Sequence, residues 1–200
     1  MTGQIRFFYE FASTYSYLSA MRISELAAER GRGVEWVPFM LGPVFHERGW
    51  TTSPFNIYPD KGRYMWRDME RLTQQAGLAL VRPDPFPQHS LLAARLAVVG
   101  QRQGWTEAFS RAVFVAEFGE GKDISQPPVL AAILETVTPD AEAAMQAAGD
   151  PAVKQRLRDN GEQAAQCGVF GAPSFVTPDG ELFWGNDRLE AALDWRGSAA

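Results

Sequence analysis

The sequence predicts an α/β protein whose α/β domain is built from both ends of the chain, with a large all-helical insertion between them. Three observations carry this. A strand–helix–strand unit occupies residues 4–39, the stretch after residue 174 reads as a hairpin followed by a helix, and the residues between repeat their apolar positions at helical spacing. A chain of 200 residues suffices for one compact domain or a domain carrying an insertion, and its 46% hydrophobic content supplies a core.

Residues 4–9, Gln-Ile-Arg-Phe-Phe-Tyr, are short and aromatic and suit a buried strand. Small and polar residues at Ala12-Ser13-Thr14 break that pattern. Ala20, Ile23, Leu26 and Ala27 then recur at spacings of three and four, which predicts a helix ending at the Gly31-Arg32-Gly33 turn. Val34-Glu35-Trp36-Val37-Pro38-Phe39 reads as a second strand, parallel to the first because a helix connects them.

Three apolar stripes mark the middle: Met65, Met69, Leu72 and Ala76; Leu92, Leu96 and Val99; Phe109, Ala112, Val113 and Ala116. Pro127-Pro128 after Ser125, Thr138-Pro139 and Asp150-Pro151 each place a capping residue ahead of proline, which predicts helix starts. The last of these helices is expected from about Pro151 to Cys167. Ser174-Phe175-Val176 and Leu182-Phe183-Trp184 flank the turn residues Thr177-Pro178-Asp179-Gly180 and predict a hairpin. Asp187, with Glu190 three positions on, is expected to cap a final helix. A βαβ unit joined to a ββα unit is the thioredoxin arrangement. Residues 1–40 and 168–200 are therefore expected to form a thioredoxin-like domain, and residues 41–167 an inserted helical domain.

Composition narrows the function. The net charge of −5 argues against a nucleic-acid footprint. No apolar run reaches the ~20 residues that span a bilayer. The N-terminus has no basic start or long apolar stretch, which predicts no secretory signal. Cys167 is the only cysteine, which excludes an internal disulfide and predicts a reducing, cytoplasmic setting. His46 and His89 are far apart, and no His/Asp/Glu cluster has metal-ligand spacing, so no metal site is expected. No Gly-x-Ser-x-Gly elbow, Gly-x-Gly-x-x-Gly turn or phosphate-cradling loop is present.

Three places can carry chemistry. Pro173, in Gly171-Ala172-Pro173-Ser174-Phe175, stands where a thioredoxin fold holds a cis-proline, whose preceding backbone groups can pair with an extended peptide. An ordinary loop proline before an edge strand explains it equally. Ser13-Thr14-Tyr15-Ser16 stands where redox members of that fold carry Cys-x-x-Cys. Serines there forfeit dithiol chemistry, but the helix start still favours an external thiolate, with Ser13 donating a hydrogen bond to it. A helix N-cap is the plainer role for Ser13, and the two coexist. Asn186 and Asp187 can hold an amino-acid-like ligand end, or Asp187 can simply cap. Cys167 reads as a small apolar filler.

Phe11-Ala12-Ser13-Thr14-Tyr15-Ser16-Tyr17-Leu18, together with Leu41-Gly42 to Phe45, Lys61-Gly62-Arg63-Tyr64, Arg67-Asp68, Pro85 to Leu91, Gly168 to Phe175 and Gly185-Asn186-Asp187-Arg188, resembles the 2-hydroxychromene-2-carboxylate isomerases. Those are similar to the kappa-class glutathione transferases and share their disulfide-oxidoreductase-like thioredoxin fold. The resemblance runs from about residue 5 to residue 195. It implies glutathione as cofactor, an aromatic acid or other electrophile as substrate, and a homodimer. It also implies that Ser13 hydrogen-bonds the glutathione sulfur, that Ala172 before Pro173 pairs with the cysteinyl part, and that Asn186 and Asp187 hold the γ-glutamyl end. Asn56 and Lys61 would lie near the ligand, with Tyr15 and His89 at the substrate pocket. The implied chemistry is reversible addition of the borrowed thiolate to a conjugated double bond, which lets the bond rotate. Thr14 in place of the usual proline, His89 in place of asparagine and Ala172 in place of valine depart from the pattern. A kappa-like transferase and a redox-inactive binding scaffold are the competing readings.

Overall fold

The computed structural model describes residues 3–46 and 48–197. Strands β1 (Ile5–Tyr9), β2 (Val34–Pro38), β3 (Ser174–Val176) and β4 (Leu182–Trp184) form one sheet in the order β2-β1-β3-β4. β1 runs parallel to β2 and antiparallel to β3, and β3 is antiparallel to β4. Helix α1 (Thr14–Glu29) makes the crossover between the parallel strands. This is the arrangement expected from the two chain ends.

The alternation of β1 sorts the core. Ile5, Phe7 and Tyr9 face a large cluster shared with α1 and the helical segment. Phe8 faces the other way, onto Val37, Phe39, Val176, Ala164 and Val169. Phe7 is the centre of the sheet: it pairs in register with Trp36 and Phe175, edge-on to the first (5.0 Å) and stacked on the second (5.5 Å).

Between the strands lie α2 (Leu41–His46), α3 (Pro54–Ile57), α4 (Pro59–Ala76), α5 (Leu91–Gln103), α6 (Thr106–Phe114), α7 (Pro127–Val137), α8 (Ala141–Ala147) and α9 (Pro151–Gln166), with α10 (Leu189–Asp194) after β4. Met65 and Met69 are fully buried, as are Leu96, Phe109 and Val113, so each expected stripe faces the core. On α4 the half-buried Leu72 packs against the core, but the stripe is completed by Thr73 rather than Ala76, which is exposed.

Three capping expectations need correction. Thr138 ends α7, and its hydroxyl accepts from the Asp140 N–H, so the next helix starts at Ala141 and not at Pro139. Gln126 rather than Ser125 precedes Pro127, and Asp123 folds that turn by accepting from the Ser125 N–H and the Gln126 amide. Asp187 caps nothing: it sits inside a single 3₁₀ turn, Asn186–Arg188, that leads into α10. After α6 the backbone widens into a π-helical turn, Val115–Gly119, which no apolar spacing announces.

Candidate functional site

Ser13 stands where the exit of β1 meets α1. Its own N–H donates to the Glu10 carbonyl (3.1 Å), and its backbone is extended (φ −93°, ψ 111°), the geometry of an N-cap. The hydroxyl accepts from the Ser16 N–H (3.3 Å) and donates to the Ala172 carbonyl (3.0 Å). A serine 159 positions away in sequence thus touches the residue before Pro173. The Ala172–Pro173 peptide bond is cis, and the turn is held from both sides. Gly185 N–H donates to the Pro173 carbonyl (3.0 Å) and Ser174 Oγ to the Gly171 carbonyl (2.8 Å). The expectation that the Ala172 carbonyl stands open for a peptide is therefore modified: the Ser13 hydroxyl occupies it.

α4 packs along the start of α1. Thr14 Oγ1 donates to Met65 Sδ (3.3 Å), and the half-buried Tyr15 hydroxyl donates to Asp68 Oδ2 (2.9 Å). Burial, followed by the bond to Asp68, pushes the Tyr15 phenol up, and the Asp187 carboxylate adds to this. Asp187 itself is exposed, with Arg188 as its nearest described cation at 3.6 Å. Asn186 is anchored to α1: its side-chain oxygen accepts from Ser19 Oγ (3.0 Å) and its carbonyl from Arg22 (2.9 Å).

Asn56, Lys61 and His89 stand apart from this group. The Asn56 amide donates to the Phe86 carbonyl (3.1 Å), and the residue lines a cleft of about 590 Å³ between α3 and α4 with Trp66, Arg63, Arg67 and Arg82. Neither Ser13 nor Ala172 lines that cleft. Lys61 lies one helical turn before Met65 and sits 4.7 Å over the Tyr58 ring. His89 is exposed between the buried Gln88 and Ser90.

Two residues escaped the sequence reading. Glu10 and Glu117 are buried carboxyls. Ser90 Oγ bonds Glu10, but burial dominates and pushes that carboxyl up to about 7. Glu117, in the π-helical turn, has no hydrogen-bond partner on either carboxyl oxygen. Burial and then repulsion from Glu10 hold it well above the usual carboxylate range. Their signal was present: each is a lone acid inside an apolar stretch, Phe7 to Phe11 and Phe114 to Phe118.

The chain matches the family described as DSBA-like thioredoxin domain over residues 4–194. A 2-hydroxychromene-2-carboxylate isomerase of Sphingobium xenophagum is 33% identical over 191 residues, which is 95% of this chain and 96% of that protein. A glutathione S-transferase kappa 2 of Caenorhabditis elegans is 24% identical over 96% of this chain and 90% of that one. A solved 2-hydroxychromene-2-carboxylate isomerase superposes with a TM-score of 0.83 at 27% identity, covering 92% of this chain and 90% of that chain. The chain belongs to the DSBA-like thioredoxin family, alongside the 2-hydroxychromene-2-carboxylate isomerases and their kappa-class glutathione transferase relatives.

Proposed function

We propose that this protein is a glutathione-dependent isomerase that interconverts 2-hydroxychromene-2-carboxylate with trans-o-hydroxybenzylidenepyruvate-type acids. The observation that carries the reading is the Ser13 hydroxyl, poised at the start of a sixteen-residue helix and against the backbone of Ala172. A hydroxyl at that place cannot form a disulfide, yet it keeps one proton to donate.

The residues present fit the tripeptide. Ser13 and the positive end of α1 suit a thiolate. The Ala172 backbone suits the cysteinyl peptide group. Asp187, exposed and weakly paired, suits the γ-glutamyl ammonium, and Asn186 offers its amide N–H beside it because its side-chain oxygen is already committed to Ser19. Bound glutathione would supply the nucleophilic sulfur that the chain lacks at this position. In this reading Ser13 turns its proton from the Ala172 carbonyl to that sulfur, which lowers the cost of its negative charge. The released Ala172 carbonyl then accepts an N–H from the peptide, so one rotation of Ser13 makes two bonds for the one it breaks. Asn56 and Lys61 would contribute from the α3–α4 side, and Tyr15 and His89 at the pocket for the acid.

The test is to incubate the protein with the chromene acid and a catalytic amount of glutathione. The isomerase yields the benzylidenepyruvate and returns the glutathione. Stoichiometric loss of glutathione would instead mark a transferase, and no heat on titration with glutathione would mark a scaffold and overturn the proposal.

A further inference from the structure

We propose that Arg48, Phe170 and Trp184 form the surface that selects an aromatic acid: the Arg48 guanidinium takes the carboxylate, and the two rings hold the planar body. The inference rests on the reading of Ser13 as the sulfur site.

Phe170 and Trp184 are 37% and 52% exposed, among the most exposed large apolar residues described, and they are neighbours (ring centroids 4.8 Å apart). Two adjoining rings that are this open offer a planar ligand a face to lie on. It lies beside the candidate centre. Phe170 is two residues before Ala172, at most about 7 Å of chain away, and Ala172 receives the Ser13 hydroxyl. Gly171 permits the closeness, since a Cβ there would press into the Trp184 indole, 2.5 Å from its nitrogen.

Arg48 completes the surface. It reaches in from the turn after α2, which is closed by Phe45 carbonyl bonds from the N–H groups of Arg48 (3.0 Å) and Trp50 (2.9 Å). Its guanidinium donates to the Phe170 carbonyl (3.3 Å) and lies 5.8 Å from the Phe170 ring. Among the described residues no carboxylate pairs with it. Several neighbouring cations are engaged elsewhere, Lys61 over the Tyr58 ring and Arg188 beside Asp187. Arg22 pairs with Glu190, Arg63 with Asp60 and Arg67 with Glu70, while Arg82 lies on Trp66 in the cleft that excludes Ser13. A guanidinium with donors to spare, beside two open rings and a sulfur site, matches a conjugated aromatic carboxylate and leaves a neutral electrophile without a charge partner.

The experiment is calorimetric titration of trans-cinnamate and of its uncharged amide onto the wild-type protein, Arg48→Met, Arg48→Lys and Trp184→Ala. Wild type is expected to prefer the acid. Arg48→Met should weaken cinnamate by about tenfold or more and leave the amide unchanged. Arg48→Lys should restore part of the loss, and Trp184→Ala should weaken both ligands alike. Cinnamate binding that is absent from wild type, no better than the amide, or unaffected by Arg48→Met overturns the proposal. Titration of glutathione onto Arg48→Met runs in parallel. Retained glutathione heat with unchanged cinnamate affinity sinks the Arg48 assignment alone, whereas loss of glutathione heat in wild type sinks the Ser13 reading.

Discussion

The Ser13 hydroxyl donates to the Ala172 carbonyl at 3.0 Å while accepting from the Ser16 N–H at 3.3 Å. One oxygen therefore caps α1 and ties it to the cis-proline turn. Ser13→Ala removes both, at a stability cost of about 1–2 kcal/mol. Turnover should fall much further, by about a hundredfold or more. Thermal melting and kcat/KM, measured on the same preparation, separate the two effects. Activity that falls no more than the melting change explains would reduce Ser13 to a cap.

Asp187→Asn tests the glutathione end of the site. The residue is exposed and caps no helix, so the melting temperature should move little. Glutathione affinity should drop by about tenfold if the carboxylate holds an ammonium. Equal affinity in calorimetry would remove Asp187 from the site.

Glu10 and Glu117 make stability depend on pH in an uncommon direction. Both carboxyls are raised in the fold, Glu10 to about 7. The folded state therefore keeps protons that the unfolded chain releases above about pH 4.5. Stability from these groups is fully present below the unfolded value; the Glu10 share is lost as pH rises through about 7, and the Glu117 share is lost as pH rises through its own raised value. Asp123, Asp179 and Asp194 act oppositely, because hydrogen bonds hold each below the usual range; their contribution fades only under strongly acid conditions. Melting temperatures between pH 5 and 8 isolate the glutamates. Glu117→Gln should flatten the decline and melt higher at pH 8. A decline as steep as wild type would mean that Glu117 does not titrate as its burial dictates.

Gly62 shows how closely α3 is laid on α4. A Cβ at that position would overlap the Phe55 carbonyl oxygen, a backbone atom that cannot rotate aside. Gly62→Ala should cost about 1–3 kcal/mol and shift α3, which carries Phe55 and Asn56. Chemical denaturation measures the loss. Wild-type stability would show that the two helices separate freely.

The α/β frame was legible because its signals are local. Aromatic strands, the Gly31–Gly33 stop and the Thr177–Gly180 turn each dictate a conformation within a few residues. Capping was read less well at Thr138 and Asp187. A cap residue before proline, or an acid three positions ahead of another, fits several turns, and packing decides among them. The site was legible in part. Ser13 and Pro173 were singled out from their place in the strand order, but the bond from Ser13 to Ala172 crosses 159 positions that no motif spans. Asn56 and Lys61 have neighbours, Phe86 and Tyr58, that no spacing announces. Glu10 and Glu117 were visible only as interruptions in apolar stretches, and Arg48 acquires meaning only once the turn after α2 meets Phe170.

The rings of Phe7, Tyr9, Phe11 and Phe114 succeed one another at centroid spacings of 5.1, 5.5 and 5.2 Å, from the middle of the sheet into the helical segment. The sheet thus has no finished surface of its own on that side. Excising residues 41–167 would leave a row of bare aromatic side chains facing water rather than a smaller autonomous protein, so the two portions are built to melt together.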